Sequence, residues 1–315
     1  MMALAPMEGV TDAPFRAVAK RFGADVVYTE FISAEAIVRG SQTARRKMAF
    51  QPIEQPIVCQ IFGRDAEVFR RAAHIVQAHG FAGLDINFGC PAHKVVGHGA
   101  GVALLRDPAY ARKLIEAVLG ELSIPLSIKV RTSIHRERRE IKPADNDCHT
   151  AVDLVKAIKD LPVAAIMIHG RSFEHGFDGT VDTAMIKAVA EQFPGIVLAN
   201  GGIRTPDDAA RMLGETGADG LGIARGALGR PWIFQQVKDY LQHKQVQSLP
   251  GEAVFAVAAA HAAQVAAGGQ RALIEFRKHL GWYLSGRPGA ARARRQLATV
   301  NALDDVHTLL AQLPA

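Results

Sequence analysis

Cysteine is scarce. Cys59, Cys90 and Cys148 are the only three in 315 residues, and their wide, irregular spacing makes neither a disulfide framework nor a CxxC metal site. That usage suits a reducing compartment, so a cytoplasmic location and no bound metal are expected. No apolar run approaches the length of a bilayer crossing. Residues 1–7 lack the basic start and long apolar core of a secretory signal and read as a first strand. No GxGxxG follows that strand, which excludes the dinucleotide-binding version of an open doubly wound sheet. A content of 49% hydrophobic and 22% charged residues is that of a globular enzyme and excludes a mostly disordered chain. The length holds one large domain, with or without a small one.

What is present is a rhythm. Short β-rich runs recur at 3–7, 25–31, 57–62, 83–89, 126–131, 164–170, 196–201 and 221–226, each followed by a helical stretch. The runs read as near-continuously apolar, as parallel strands covered by helices do. Helix starts are marked by Asp12 ahead of Ala13-Pro14 and by Thr205 ahead of Pro206. Gly80, Gly195 and Gly217 fall where helices should stop. Eight strand–helix units predict a TIM (β/α)8 barrel over residues 1–242, with an open doubly wound sheet as the alternative. A polar stretch at 243–251 reads as a linker. Beyond it only helical periodicity remains, at 253–267, 270–284, 290–300 and 303–313, predicting a small all-helical domain over 252–315. The 132–149 connection is long for a barrel and is a candidate lid or binding loop, although its charges balance and a solvated loop fits as well.

Barrel chemistry sits at the C-terminal ends of the strands. There the sequence places Pro6, Met7, Glu8, Thr29, Glu30, Gln60, Asn87, Cys90, Lys129, Arg131, His169, Arg171, Asn200, Gly201, Gly202, Ala224, Arg225 and Gly226. Polar groups ending so many strands are hard to explain as packing. Asn200-Gly201-Gly202 and Ala224-Arg225-Gly226 end strands seven and eight, where backbone N–H groups commonly hold phosphate. Glycine lets the backbone come close, and Arg225 adds charge. Gln60, Lys129 and His169 would line the plane of a flavin ring, whose reduced form is anionic and is stabilised by a nearby cation. His169 alone fits a satisfied core histidine equally well, whereas a lysine inside a barrel needs an anionic partner. Cys90 stands on a turn at the catalytic face, beside the glycine-rich 97–101 segment, which could close over a substrate. Cys59 reads as packing, and Cys148 has no assigned role.

Charge distribution adds a partner. Between Arg271 and Arg295 seven basic residues face one acid, Glu275, so this stretch carries the whole formal charge of +6 and the remainder balances. Trp282 and Tyr283 are interleaved. Arg39 and Arg45-Arg46-Lys47 form a second basic cluster. Both suit a nucleic-acid surface, and a solvated helix face is the plainer alternative.

Together these residues resemble the tRNA-dihydrouridine synthase family. The resemblance is carried by Leu4-Ala5-Pro6-Met7-Glu8-Gly9-Val10-Thr11-Asp12, Gln60-Ile61-Phe62-Gly63, Asp85-Ile86-Asn87-Phe88-Gly89-Cys90-Pro91, Lys129-Val130-Arg131 and His169-Gly170-Arg171. Asn200-Gly201-Gly202-Ile203 and the run from Arg225 to Phe234 complete it, and Arg277 to Tyr283 resembles the bacterial B-type members. The family's usual Arg-x-Gly-Trp reads Arg131-Thr132-Ser133-Ile134 here, and Thr183 replaces a usual tryptophan. The resemblance implies an FMN-holding TIM barrel with a helical domain that grips tRNA. A monomer is expected. The resemblance also implies NADPH as reductant, hydride delivery to C6 of a uracil and Cys90 as proton donor to C5. Asn87 and Arg171 would hold the substrate. Two rivals are a flavin barrel acting on a small molecule and a non-catalytic RNA-binding protein built on the same scaffold.

Overall fold

Capping chemistry starts the helices where the sequence expects them. The computed structural model describes residues 1–135 and 148–314. The Asp12 carboxylate accepts the N–H of Phe15 at 3.0 Å and opens helix Ala13–Arg21, with Pro14 in its first turn. Thr205 and Asp208 form a reciprocal capping box at the start of Pro206–Thr216.

Eight parallel strands alternate with the helices. In chain order they are Met2–Leu4, Val26–Tyr28, Ile57–Phe62, Gly83–Phe88, Leu126–Arg131, Ala165–His169, Ile196–Asn200 and Gly220–Ile223. The first pairs with the eighth and the second, and the second pairs with the third, so the ring closes into a TIM barrel. Closure rules out the open-sheet alternative. The expected run at 25–31 divides in two, because the Thr29 hydroxyl accepts the N–H of Gln60 at 3.0 Å where a ladder carbonyl would. Pairing resumes at Ile32–Ser33 against Ile61 and Phe62.

The strands also depart from the continuous apolar reading. Leu84, Ile86 and Phe88 of the fourth strand and Leu126, Ile128 and Val130 of the fifth join the large core beneath the helices. Their alternates, Asp85, Asn87, Ser127, Lys129 and Arg131, turn into the barrel. The barrel floor is a separate apolar layer of Ala3, Ala5, Tyr28, Met167 and Leu198. Polar residues therefore stack on an apolar plug, which keeps water out from below.

Helices Gly251–Ala266, Gly269–Tyr283, Ala290–Gln296 and Leu303–Ala311 follow the barrel. They share a second apolar cluster that includes Val254, Leu273, Phe276 and Leu309, with Trp232 reaching into it from the barrel side. Phe15 of the first barrel helix packs against His261 and His279, with ring centroids 5.8 and 5.0 Å apart. Ser133–His135 and Cys148–Thr150 pair as an antiparallel hairpin at the base of the long connection. Most of that connection, 136–147, on which the lid and solvated-loop readings bear, lies outside the described residues. Among the described residues no helix is long and apolar enough to cross a membrane.

The seam between barrel and C-terminal helices leaves no space at Gly229. Its φ is +65°, and a Cβ there would lie 2.3 Å from the carbonyl carbon and oxygen of Trp282. Gly229→Ala should therefore cost about 1–3 kcal/mol in urea unfolding, from left-handed strain alone. Unchanged stability would mean both that helix Gly269–Tyr283 retreats freely and that the backbone at 229 leaves the left-handed region without cost.

Candidate active site

The strand register assembles the site level by level. Gln60 and Ser127 flank Asp85 across strands three, four and five. One level higher Asn87 faces Lys129, and above that Arg131 faces His169, which in turn faces Asn200. The lowest level is tightly paired: Asp85 accepts from Gln60 Nε2 at 2.7 Å and from Ser127 Oγ at 2.6 Å. Burial pushes the Asp85 carboxyl up to about 6, against the pull of Ser127, Gln60 and the Lys129 charge. Lys129 donates to Asn200 Oδ1 at 3.2 Å, and Asn200 Nδ2 donates to the Gly222 carbonyl at 2.6 Å. Enclosure in the barrel, reinforced by Arg131, brings Lys129 down to about 8.

Above these levels opens a cavity of about 720 Å³, inside the roughly 300–1,000 Å³ range of small-molecule sites. Most strand-end candidates line it, among them Pro6, Met7, Glu8, Gln60, Asn87, Cys90, Lys129, His169, Arg171, Asn200, Gly201, Gly202, Ala224 and Arg225. Thr29 and Glu30 do not. Thr29 serves the sheet, and Glu30 accepts the Gly9 N–H at 2.6 Å, tying the first loop to the second. Arg131, Phe31, Phe177 and Arg204 also line the cavity. Sequence reading had no reason to single out Phe177, which shares its loop with Phe173 and carries no motif of its own. It is 55% exposed, with the guanidinium groups of Arg131 and Arg225 each 5.4 Å from its ring centre.

Cys90 differs from expectation in one respect. The sequence suggests an exposed loop, but the residue is 9% exposed and packs among Val95, Ala100, Phe31 and Phe62. The loop's glycine-rich half already lies against it, since a Cβ on Gly101 would sit 2.8 Å from the Cys90 carbonyl oxygen. Its N–H donates to Asn87 Oδ1 at 2.8 Å, and Arg131 Nε donates to the Gly89 carbonyl at 2.8 Å. Arg131 also donates to the carbonyls of Ser172 and Gly176, joining the fourth and sixth loops. Burial pushes the Cys90 thiol up, against the opposing pull of the Ala92 backbone and the Arg131 and Lys129 charges. It is thus held as a proton-bearing thiol. Cys59 is fully buried, as a packing residue is.

The opposite side of the cavity suits an anion. Gly201 and Gly202 have φ of +115° and +72°. A Cβ on Gly201 would lie 2.9 Å from the His169 ring, and one on Gly202 would lie 3.0 Å from Val181. Arg171, Arg204 and Arg225 gather around this bend of bare backbone, and Arg225 donates to the Phe177 carbonyl at 3.0 Å. His169 feels the crowd: burial, then Lys129, Arg131, Arg171 and Arg225, brings it down to about 2.

Three relatives match nearly end to end. The tRNA-dihydrouridine synthase B of Pseudomonas putida is 34% identical over 99% of this chain and 90% of its own. That of Vibrio parahaemolyticus is 35% identical over 96% and 90%. A probable tRNA-dihydrouridine synthase of Rickettsia conorii is 34% identical over 96% and 88%. The sequence profile of the family Dihydrouridine synthase (Dus) matches residues 3–314. The chain belongs to the dihydrouridine synthase family.

In this dihydrouridine synthase family member the cluster of cations has a measurable consequence. His169 should stay a neutral imidazole from pH 8 down through pH 5 in ligand-free protein, because it is buried and protonation would add a further positive charge beside Lys129, Arg131, Arg171 and Arg225. Histidine NMR shifts followed against pH report it directly. A His169 midpoint near the unperturbed ~6.5 would contradict this electrostatic picture.

Proposed function

We propose that this oxidoreductase is an FMN-dependent tRNA-dihydrouridine synthase. In this reading it reduces the C5–C6 bond of particular uridines with NADPH as reductant. The observation that carries the proposal is a buried thiol, Cys90, lining the same cavity as a buried lysine and a glycine-lined anion corner. The residues fit FMN. The phosphate would rest on Gly201, Gly202 and Arg225, where a Cβ would collide with the His169 ring or Val181 and the backbone is therefore bare. Gln60, Lys129, His169, Asn200, Ala224 and the Pro6-Met7-Glu8 turn would surround the ring system, with Lys129 opposite its anionic edge. When bound, the flavin supplies the hydride that arrives at C6 of the base.

The chain's own residues do the rest. Asn87 and Arg171 would hold the uracil, and Cys90 gives its proton to C5 as a general acid. The base must leave its stack to enter a barrel mouth. The reading takes the enzyme to act as a monomer. The reading has residues 1–242 as the catalytic barrel and 252–315 as the tRNA-gripping helices, acting in the cytoplasm. Arg271, Lys278, Arg292, Arg294 and Arg295 are exposed, as an RNA surface requires. Several members of the basic clusters are otherwise engaged: Arg277 donates to the Val300 carbonyl at 2.8 Å and to Asn301 Oδ1 at 2.9 Å, and Arg287 donates to the Tyr283 carbonyl at 3.2 Å. Tyr283 is 2% exposed and belongs to the helical core, so stacking on a base would fall to Trp282. Lys47 pairs with Glu8 at the cavity rim, leaving Arg39, Arg45 and Arg46 as the exposed second cluster.

Cys90→Ala should keep FMN, identified as the chromophore released on denaturation, and should keep reduction by NADPH. Single-turnover reoxidation by tRNA should slow by about a hundred- to ten-thousand-fold, the usual reach of a general acid. Cys59→Ala should leave that step near the wild-type rate. Dihydrouridine formed at full speed without the Cys90 thiol would hand the proton transfer to water or another residue. His98 is an unpromising substitute, being exposed and absent from the cavity lining.

Glutamate at positions 292, 294 and 295 should weaken tRNA binding and flatten its salt dependence, since fewer counterions are released. Filter-binding titrations at several salt concentrations test this. Unchanged affinity and slope would move the RNA surface elsewhere.

A further inference from the structure

We propose that Asp85 is a positioning residue for Cys90, acting from inside the barrel through Gln60 and Asn87. The inference rests on reading Cys90 as the proton donor. Asp85 is fully buried and does not itself line the cavity. A carboxylate there is costly as packing, since the layer beneath is apolar and Lys129 spends its hydrogen bond on Asn200 instead.

Its value lies in polarity. An ionised carboxylate only accepts hydrogen bonds. Gln60 must therefore turn its Nε2 toward Asp85, at 2.7 Å, which leaves its Oε1 facing up. That oxygen accepts from Asn87 Nδ2 at 2.9 Å. Asn87 is thereby obliged to aim its Oδ1 at the cysteine loop, where it accepts the N–H of Gly89 at 3.1 Å and of Cys90 at 2.8 Å. A side-chain amide presents two nearly equivalent faces, and a chain of two amides has two self-consistent directions. Here one end is acceptor-only and the other offers only backbone donors, so a single direction satisfies every link. An amide at position 85 removes that constraint. Gln60 can then turn over, and Asn87 would present Nδ2 to two N–H groups, donor against donor.

The test uses the holoenzyme as purified, carrying Asp85→Asn, with Ser127→Ala as control because it removes the other bond to the carboxylate but leaves the amide chain. Carbamidomethylation of Cys90 by iodoacetamide is followed by peptide mass spectrometry, with half-buried Cys148 as internal reference. Loosening the loop should raise the Cys90-to-Cys148 rate ratio by about threefold or more, because a thiol released from burial is more accessible and more readily ionised. In the Ser127 variant the ratio should stay near wild type. At saturating tRNA, reoxidation should slow about tenfold or more, as expected of a misaimed reacting group, with reduction by NADPH much less affected. An unchanged alkylation ratio overturns the proposal, and so does equal slowing of both half-reactions, the mark of a general structural or flavin-directed role. Asp85→Ser, smaller than the native residue, supplies the same readouts should the Asn variant not fold. If the wild type holds no flavin or ignores tRNA, the activity reading fails, while the alkylation ratio still decides whether Asp85 orients Cys90.

Discussion

A lysine in the interior of a barrel has to be given partners, and much of this molecule's site follows from supplying them to Lys129. Asn200 takes its hydrogen bond, Asp85 supplies a countercharge from below, and enclosure still draws the amine down to about 8. Arg131, Arg171 and Arg225 crowd the same cavity and leave it short of negative charge. Such a surplus is unfavourable until an anion arrives, which is the electrostatic case for a ligand bearing phosphate and a reducible ring that becomes anionic. Burial, with the same surplus, keeps His169 neutral, so it can offer an imidazole and not an imidazolium to whatever binds.

Division of labour between the two faces of each strand makes this affordable. Leu84, Ile86, Phe88, Ile128 and Val130 anchor strands four and five in the helix-covered core, where hydrophobic burial holds the ring closed. Their inward neighbours are then free to be polar, provided each finds a partner. Asp85, Gln60, Ser127, Asn87 and Asn200 satisfy one another or the backbone. Arg131 extends the arrangement upward by gathering the carbonyls of Gly89, Ser172 and Gly176, so the cysteine loop and the loop bearing Phe177 are held as one rim.

Much of this was legible in the chain. Parallel-strand rhythm with capping signals such as Asp12 and Thr205 implied the barrel, and polar residues at strand ends marked the cavity wall. Less legible were features that depend on who sits opposite whom. The alternation in Leu84-Asp85-Ile86-Asn87-Phe88 was visible, but an aspartate inside a barrel acquires meaning only when Gln60 and Ser127 arrive on neighbouring strands. Phe177 carried no local signal. Tyr283 looked like an RNA-facing aromatic from its basic neighbours, yet helical phase turns it into the core, where it packs against Trp232.

The sequence by itself determined the family, the strand–helix order and the residue types available to the site, because periodicity, caps and motifs are local and survive without coordinates. Tertiary structure decided what those residues are to one another. Closure brought Gln60 and Asp85, 25 positions apart, and Lys129 and Asn200, 71 apart, into hydrogen-bonding reach. It also buried the Cys90 thiol that the sequence would have left on an open loop. The physical reason is that hydrogen-bond polarity, burial and mutual charge are properties of three-dimensional neighbours, which strand register specifies and spacing along the chain does not.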